Sequence, residues 1–152
     1  MAVQLGDSIP DFSLKDQHGN EFQSKSLKGK QAMVIYFYPK NFTPGCVKEA
    51  CDFRDQFEDF KDLGATVIGI SSDSEKSHAK FAASYNLPFI LLADTNGTVR
   101  RKFGVKKNLL GLLPGRETYV VNKIGEVILI FNAMDASRHI KKSLKILQSE
   151  NQ

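Results

Sequence analysis

The chain has 152 residues, of which 41% are apolar and 25% are charged, an ordinary balance for a globular domain with its own core. The net charge of +4 comes from 21 basic and 17 acidic residues spread along the chain, so it does not favour a nucleic-acid-binding protein. No apolar stretch approaches the ~20 residues that span a bilayer, and the first residues lack the basic and apolar regions of a signal peptide.

The predicted elements begin with a hairpin, because residues 12–23 alternate in polarity around a Gly-Asn pair. The apolar run over residues 32–38 follows and is typical of a central strand that is buried on both faces. Pro39 and Pro44 interrupt the next segment, and a helical pattern starts near Cys46. The first half of the chain therefore predicts a hairpin, a buried strand, a loop and a helix.

The helix after this strand is predicted to run from about Cys46 to a C-terminal cap at Gly64. Four apolar residues at spacings of three and four share one of its faces: Ala50, Phe53, Phe57 and Phe60. Cys46 falls on this apolar face and Cys51 on the polar face. On an ideal helix, Cα atoms five residues apart are about 8.7 Å apart, whereas a disulfide requires less than about 7 Å. The two cysteines can therefore join only if the start of the helix unwinds.

A second buried strand is predicted over residues 65–70, and Ser72 and Glu75 have the spacing of a capping box that opens the next helix. A third strand over residues 89–93 completes an alternating strand–helix pattern, which implies parallel strands joined by right-handed crossovers. A short helix over residues 97–103, a leucine-rich loop, a second hairpin and a final amphipathic helix follow.

This order predicts an α/β protein with a thioredoxin-like fold: a central mixed β-sheet flanked by helices, with an N-terminal β-hairpin extension. We expect one domain over residues 1–152. We expect the protein to be soluble, or to begin at the processed end of a mature protein, and we expect neither a membrane nor a nucleic acid as partner.

Two cysteines in this length do not form the disulfide framework of a secreted protein, and the three histidines are too far apart for a local metal motif. A cysteine is nucleophilic as its thiolate, which a helix N-terminus stabilises. Cys46 is predicted at such a position. The spacing alone leaves open whether the two cysteines are reactive or inert, and it is not the CxxC of disulfide exchange.

The segment YFYPKNFTPGCVKEACDFRDQF resembles the active site of the peroxiredoxins, specifically the Q type, which is also called bacterioferritin comigratory protein. It contains the P-x-x-x-T-x-x-C pattern of the family as Pro39, Thr43 and Cys46, and Cys51 stands where the Q type has its second cysteine. The segments PDFSLKDQHGN and LPFILLAD are similar to other parts of the family. LLPGRETYVV looks like plant and cyanobacterial members, in which a leucine-rich loop leads to an active-site arginine, here Arg116.

The resemblance implies a thioredoxin-dependent peroxidase that reduces hydrogen peroxide and organic hydroperoxides without a cofactor or metal. Cys46 would attack the peroxide and become a sulfenic acid, and Cys51 would condense with it to an intramolecular disulfide that thioredoxin or a similar dithiol reduces. Thr43 would orient the peroxide, Arg116 would stabilise the thiolate and the developing charge on oxygen, and Pro39 would shield Cys46. The resemblance further implies a monomer, in the cytoplasm of a bacterium or in the plastid if the chain is a processed plant protein.

Several residues keep a second interpretation. Thr43 is also a candidate helix N-cap, Pro39 a strand end and Arg116 a surface residue. Glu49 either holds a nearby positive group or favours the first helical turn. For six further residues, the sequence does not distinguish between lining the pocket and packing in or over the core: Tyr38, Phe42, Leu109, Leu110, Leu112 and Leu113.

Two other functions also stay open. One is a redox relay or sensor that uses the same disulfide, and the other is a binding module with inert cysteines. Asn41 and Phe42 stand where acidic or polar residues are common in the family, and Val47 where threonine is frequent, which leaves the preferred peroxide undetermined.

Overall fold

A computed structural model of the chain describes residues 2–105, 115–133 and 135–150. Its strands are β1 (Ser13–Asp16), β2 (Glu21–Gln23), β3 (Ala32–Phe37), β4 (Ala65–Ser71), β5 (Ile90–Ala93), β6 (Glu117–Val121) and β7 (Val127–Asn132). Its helices are α1 (Pro44–Asp55), α2 (Phe57–Asp62), α3 (Glu75–Tyr85), α4 (Thr98–Phe103), α5 (Ala136–Glu150) and a short 3-10 helix at Ser24–Ser26.

These strands form one mixed sheet in the order β2-β1-β5-β4-β3-β6-β7. The central strands β3, β4 and β5 run parallel, as expected for strands joined by helical crossovers. The β6–β7 hairpin adds antiparallel strands beside β3, and the β1–β2 hairpin adds them beside β5. The predicted α/β architecture, a mixed sheet flanked by helices with an N-terminal hairpin, is confirmed.

Strand β3 is buried at every residue because each face of the sheet carries a layer of helix or loop. Successive side chains of a strand point to opposite faces. Val34 and Tyr36 therefore pack with residues of α1, α2, α3 and α5, whereas Ile35 and Phe37 pack with α4 and the N-terminal segment. The apolar run that predicted a central strand thus supplies both halves of the core.

The predicted single helix from Cys46 to Gly64 is wrong in one respect, because it is divided at Gln56. The ψ angle of 11° at Gln56 takes the backbone out of the α-helical region between α1 and α2. The bend leaves Phe60 fully buried beside Phe53, with ring centroids 5.5 Å apart. Gly64 has a φ of +73° and follows the last helical turn, as its predicted capping role requires.

The cap of α3 also differs from the prediction. The hydroxyl of Ser74, not that of Ser72, accepts a hydrogen bond from the backbone N–H of Ser77, at 3.1 Å. Glu75 is consequently the first residue of the helix rather than its third. The predicted capping box was therefore placed two residues too early.

No helix in residues 2–105, 115–133 and 135–150 is long and apolar enough to cross a membrane. The predicted roles of Leu109, Leu110, Leu112 and Leu113 lie outside the residues that the structure describes.

Candidate active site

Helix α1 starts at Pro44, directly after the loop that leaves β3. Proline suits the first helical position because its ring fixes φ and its missing N–H would have no helical partner there. Thr43 precedes it in an extended conformation, with φ −84° and ψ 149°. The first hydrogen bond of helical spacing runs from the N–H of Val47 to the carbonyl of Thr43, at 2.9 Å. The N–H groups of Gly45 and Cys46 therefore have no intrahelical partner, and they give this end of α1 a partial positive charge.

Cys46 is the third residue of α1 and is only 1% exposed. It lies on the buried face with Ala50 and Phe53, as predicted. Cys51 is half-buried on the same helix, and both thiols are free. The two cysteines are therefore both held in helical geometry, in which a disulfide between them is out of reach.

Arg116, immediately before β6, brings a positive charge to Cys46. Its Nη2 donates a hydrogen bond to Sγ of Cys46 at 3.2 Å, and its Nη1 donates to Oε1 of Glu49. The Arg116 side chain is only 3% exposed, so the prediction that it approaches Cys46 agrees with the geometry and its interpretation as a surface residue does not. A Cβ atom at Gly45 would lie 3.0 Å from Nη2 of Arg116. Glycine at this position thus leaves room for the guanidinium above the first turn of α1.

Glu49 is fully buried and forms an ion pair with the Arg116 guanidinium. Of its two predicted roles, this is the first, which was to hold a nearby positive group. Burial raises the pKa of Glu49, although the charge of Arg116 opposes this shift. Burial acts to lower the pKa of Arg116, but Glu49 and Cys46 outweigh it and raise that pKa. Arg116 therefore stays charged, with Glu49 as its buried carboxyl partner.

His139 on α5 completes this cluster, and the sequence carries no motif that predicts it. Its Nε2 lies 2.6 Å from the carbonyl oxygen of Ala133 and must donate to it, so Nδ1 accepts from the hydroxyl of Thr118 at 2.7 Å. Nδ1 is also 3.7 Å from Oε2 of Glu49. Burial, assisted by the charge of Arg116, lowers the pKa of His139 to about 4. The neutral imidazole consequently adds no second positive charge behind Arg116.

The two other predicted site residues lie on the loop between β3 and α1. Thr43 has the position of the N-cap, but its side chain makes no capping hydrogen bond. Its hydroxyl donates instead to the carbonyl of Lys40, at 2.8 Å, and its oxygen keeps the capacity to accept. Pro39 is half-buried and follows the last residues of β3. The structure therefore places both residues on the segment that leads to Cys46.

A buried polar network holds the loop between β3 and α1 in place. The hydroxyl of Tyr38 donates to Oδ1 of Asn41 at 2.6 Å, and the backbone N–H of Asn41 donates to Asp73 at 2.9 Å. The Asn41 amide nitrogen lies 3.0 Å from Nδ1 of His78. Tyr38 is thus a core residue with its polar end satisfied. Asn41, which departs from the family pattern, anchors the loop to the β4–α3 connection.

Phe42, another departure from the family pattern, is 44% exposed and has a φ of +67°. A positive φ is unfavourable for a bulky L-residue. Its ring packs edge-on against Phe81, with centroids 5.0 Å apart, and lies 6.4 Å from the ring of Tyr85. These contacts on α3 hold a strained residue directly before Thr43.

Comparisons with known proteins agree with the geometry. The family model described as the AhpC/TSA family matches residues 5–130. A chloroplastic peroxiredoxin Q of Sedum lineare is 51% identical over 148 residues, which cover 97% of this chain and 79% of that protein. The structure of the peroxidoxin BcpB of Mycobacterium tuberculosis superimposes with a TM-score of 0.86 at 39% identity, over 97% of each chain. A bacterioferritin comigratory protein of Xanthomonas campestris with alkyl peroxide reduction activity gives a TM-score of 0.86 at 28% identity, over 96% of this chain and all of that one.

Proposed function

The chain belongs to the AhpC/TSA family as a thiol peroxidase of the peroxiredoxin Q type, and from that premise we propose that Cys46 is its peroxidatic cysteine and Cys51 its resolving cysteine. One observation carries the assignment of Cys46: its sulfur lies 3.2 Å from the buried guanidinium of Arg116, at the N-terminus of α1. A helix N-terminus and a fixed cation both stabilise a thiolate, which is the nucleophilic form of cysteine.

In the first step, the Cys46 thiolate attacks one oxygen of the peroxide ROOH. The S–O bond forms as the O–O bond breaks, so the sulfur is oxidised by two electrons to the sulfenic acid and the second oxygen leaves as RO⁻, which takes a proton to become ROH. Negative charge spreads from sulfur to both oxygens in the transition state. Arg116 is fixed beside the sulfur and stabilises this charge without having to reorient.

Thr43 and Pro39 shape the place where the peroxide binds. The Thr43 hydroxyl donates to Lys40, and its oxygen is left to accept a hydrogen bond from the peroxide O–H. The free N–H groups at the start of α1 offer donors for the peroxide oxygens. Pro39 shields Cys46 from bulk water at the end of β3.

In the second step, the Cys51 thiol condenses with the sulfenic acid, and the products are a disulfide and water. Because the two Cα atoms of an intact helix would be about 8.7 Å apart, the start of α1 must unwind before the bond closes. A dithiol reductant such as thioredoxin then reduces the disulfide. We expect the reductant to attack the sulfur of Cys51, because Cys51 is partly exposed whereas Cys46 is buried.

The substrates are hydrogen peroxide and small organic hydroperoxides, the second class in keeping with the alkyl peroxide reduction activity of the Xanthomonas campestris protein. We propose that residues 1–152 form one domain that works as a monomer. Its compartment is the plastid if the source is a plant, as for the Sedum lineare protein, and the cytoplasm if the source is a bacterium. Sedimentation of the reduced protein tests the monomer, since a dimer would have twice the mass.

Steady-state peroxide consumption with thioredoxin and its reductase tests the assignment. The wild-type protein is expected to turn over. Cys46→Ser should be inactive, because the nucleophile is lost. Cys51→Ser should consume about one equivalent of peroxide and then stall until an external thiol is added, which makes it the matched control for a correctly folded site. Unchanged turnover in Cys46→Ser would disprove the assignment.

A further inference from the structure

Arg100 on α4 joins the two backbone segments that carry the proposed catalytic groups. Its Nη2 donates to the carbonyl oxygen of Tyr38 at 2.7 Å, and its Nη1 donates to that of Gly115 at 2.9 Å. Tyr38 directly precedes Pro39, and Gly115 directly precedes Arg116. The Arg100 guanidinium therefore connects two peptide groups. One joins Tyr38 to Pro39, at the start of the loop that leads to Cys46, and the other joins Gly115 to Arg116.

The position of Arg100 is itself fixed by its surroundings. Asp94, which is 3% exposed, accepts hydrogen bonds from the backbone N–H groups of Val99 and Arg100, at 3.1 and 2.9 Å. The guanidinium also lies 5.6 Å from the centre of the Phe37 ring, a cation–π distance. Asp94 holds the backbone and Phe37 holds the side chain, so Arg100 can act as a rigid spacer.

The chemistry of this contact requires arginine. The planar guanidinium donates in two fixed directions, so the two carbonyl oxygens are held at a defined separation. A lysine at the same place would supply the charge but not the fork. Both acceptors are backbone carbonyls, so these two hydrogen bonds set geometry. The charge of Arg100 also acts on Asp94, Glu117 and Cys46, and comparison with lysine separates the two effects.

We propose that Arg100 is a positioning residue that sets Arg116 and the Pro39 loop relative to each other, so that the Arg116 guanidinium meets the sulfur of Cys46. This inference rests on the proposed role of Arg116. Displacing a catalytic group by about 1 Å can lower a rate about 100-fold. Loss of Arg100 should therefore weaken peroxide reduction without removing any group that touches the peroxide.

The test compares Arg100→Ala, Arg100→Lys and the control Arg101→Ala. Arg101 is an exposed neighbour on α4 whose Nη1 bonds locally to the carbonyl of Asn96, at 2.9 Å. In a Cys51→Ser background, two quantities are measured: the rate constant of Cys46 oxidation by hydrogen peroxide, and the fraction of Cys46 present as thiolate at neutral pH, from its ultraviolet absorbance. We expect Arg100→Ala to lower the rate constant about 10- to 100-fold and to lower the thiolate fraction. Arg100→Lys should recover part of each loss, and Arg101→Ala should change neither.

Three results would overturn the inference. One is a folded Arg100→Ala variant with the wild-type rate constant and thiolate fraction, even if it melts at a lower temperature, because that is a purely structural role. Another is full recovery in Arg100→Lys, since charge alone would then suffice. The third is a loss in Arg101→Ala equal to that in Arg100→Ala. If Arg100→Ala does not fold, Arg100→Lys is judged by its rate constant and its thiolate fraction. Wild-type values of both would overturn the inference, and lower values of both would support it.

Arg116→Ala, measured in parallel, separates this inference from the proposed function. If Arg116→Ala keeps the wild-type rate constant, the role of Arg116 fails, and the inference about Arg100 fails with it. If Arg116→Ala lowers the rate constant while the Arg100 variants do not, only the inference about Arg100 fails.

Discussion

Glu49 has no exposed surface and is the carboxyl partner of the buried Arg116 guanidinium. A buried charge whose partner is removed is costly, whereas an exposed ion pair contributes little. Helix α1 also contains an ion pair that is more exposed to solvent. Lys48 and Asp52 form an ion pair at 3.2 Å with side chains that are 58% and 30% exposed. Helix α1 therefore contains a matched pair of tests.

We expect Glu49→Ala to lower the free energy of unfolding by about 3 kcal/mol or more, because the Arg116 guanidinium loses its buried acceptor. Glu49→Gln keeps an amide oxygen for Nη1 of Arg116 and should cost less. Asp52→Ala, the control, should cost less than about 1 kcal/mol. Urea unfolding at neutral pH measures all three, and a Glu49→Ala variant as stable as Asp52→Ala would show that Glu49 does not hold Arg116.

His139 makes the stability of the protein depend on pH. Its pKa falls from the ordinary 6.5 to about 4 in the folded protein because of burial. The unfolded chain therefore binds a proton near pH 6.5 that the folded protein accepts only near pH 4. The stability that neutral His139 contributes is fully present above the higher pKa and is lost as the pH falls toward the lower one.

Between these pH values, we expect this histidine to lower the free energy of unfolding by at most about 3 kcal/mol. His139→Gln should show a shallower decrease over the same range, because it cannot take up the proton. His18→Gln, at an exposed histidine, is the control for the substitution itself. Urea unfolding at a series of pH values provides the data, and equal slopes in His139→Gln and the wild type would contradict the explanation.

At the scale of the element, the connection from β3 to α1 combines a strained residue with a helix start. Phe42 has a φ of +67°, and its ring packs on Phe81 of α3. The contact with α3 offsets the unfavourable backbone and fixes Thr43 in front of Pro44. A left-handed conformation costs an L-residue roughly 1–2 kcal/mol, and glycine avoids this cost.

Two substitutions at Phe42 separate packing from strain. Phe42→Ala and Phe42→Gly both lose the ring, but only Phe42→Ala keeps the strained backbone. We expect Phe42→Gly to be the more stable variant by about 1 kcal/mol, which reverses the usual order of alanine and glycine. Denaturant unfolding of both variants measures the difference, and a more stable Phe42→Ala would mean that the position is not strained.

For the molecule as a whole, the sequence predicted those elements of the fold that depend on residue periodicity and on local chemistry. The buried strand β3, the apolar face of α1 and the terminal glycine of α2 follow from residue spacing. One resemblance singles out five site residues, whose catalytic roles stay predictions: Pro39, Thr43, Cys46, Cys51 and Arg116. The bend at Gln56 does not follow from spacing, because the spacing of Phe53, Phe57 and Phe60 fits one continuous helix.

Apart from the contact of Arg116 with Cys46, which the resemblance implies, the contacts that organise the site could not be predicted from the sequence because they join distant parts of the chain. Glu49 and Arg116 are 67 positions apart, and Arg100 and Tyr38 are 62 apart. Glu49 carried a weak signal, since it lies three residues after Cys46. Arg100 and His139 carried none. Their roles come from the sheet, which places β3 beside β6 and brings α4 and α5 to their opposite faces.

The proposed cycle requires the sheet to stay folded while the start of α1 unwinds. Cys46 needs the intact helix for attack on the peroxide, and Cys51 can reach it only when that helix opens. The oxidised form should therefore have the same sheet and a different α1. Local unwinding of α1 thus links attack on the peroxide to closure of the disulfide.

Amide hydrogen exchange of the reduced and the disulfide forms shows whether the start of α1 unwinds. We expect the amides of residues 47–51, the first that donate helical hydrogen bonds in α1, to lose protection in the disulfide form, while the amides of β3, β4 and β6 keep theirs. Cys51→Ser, treated with peroxide, is the control, because it forms the sulfenic acid without closing the disulfide and should keep α1 protected. Equal protection of residues 47–51 in the reduced and the disulfide forms would show that disulfide closure does not require α1 to unwind.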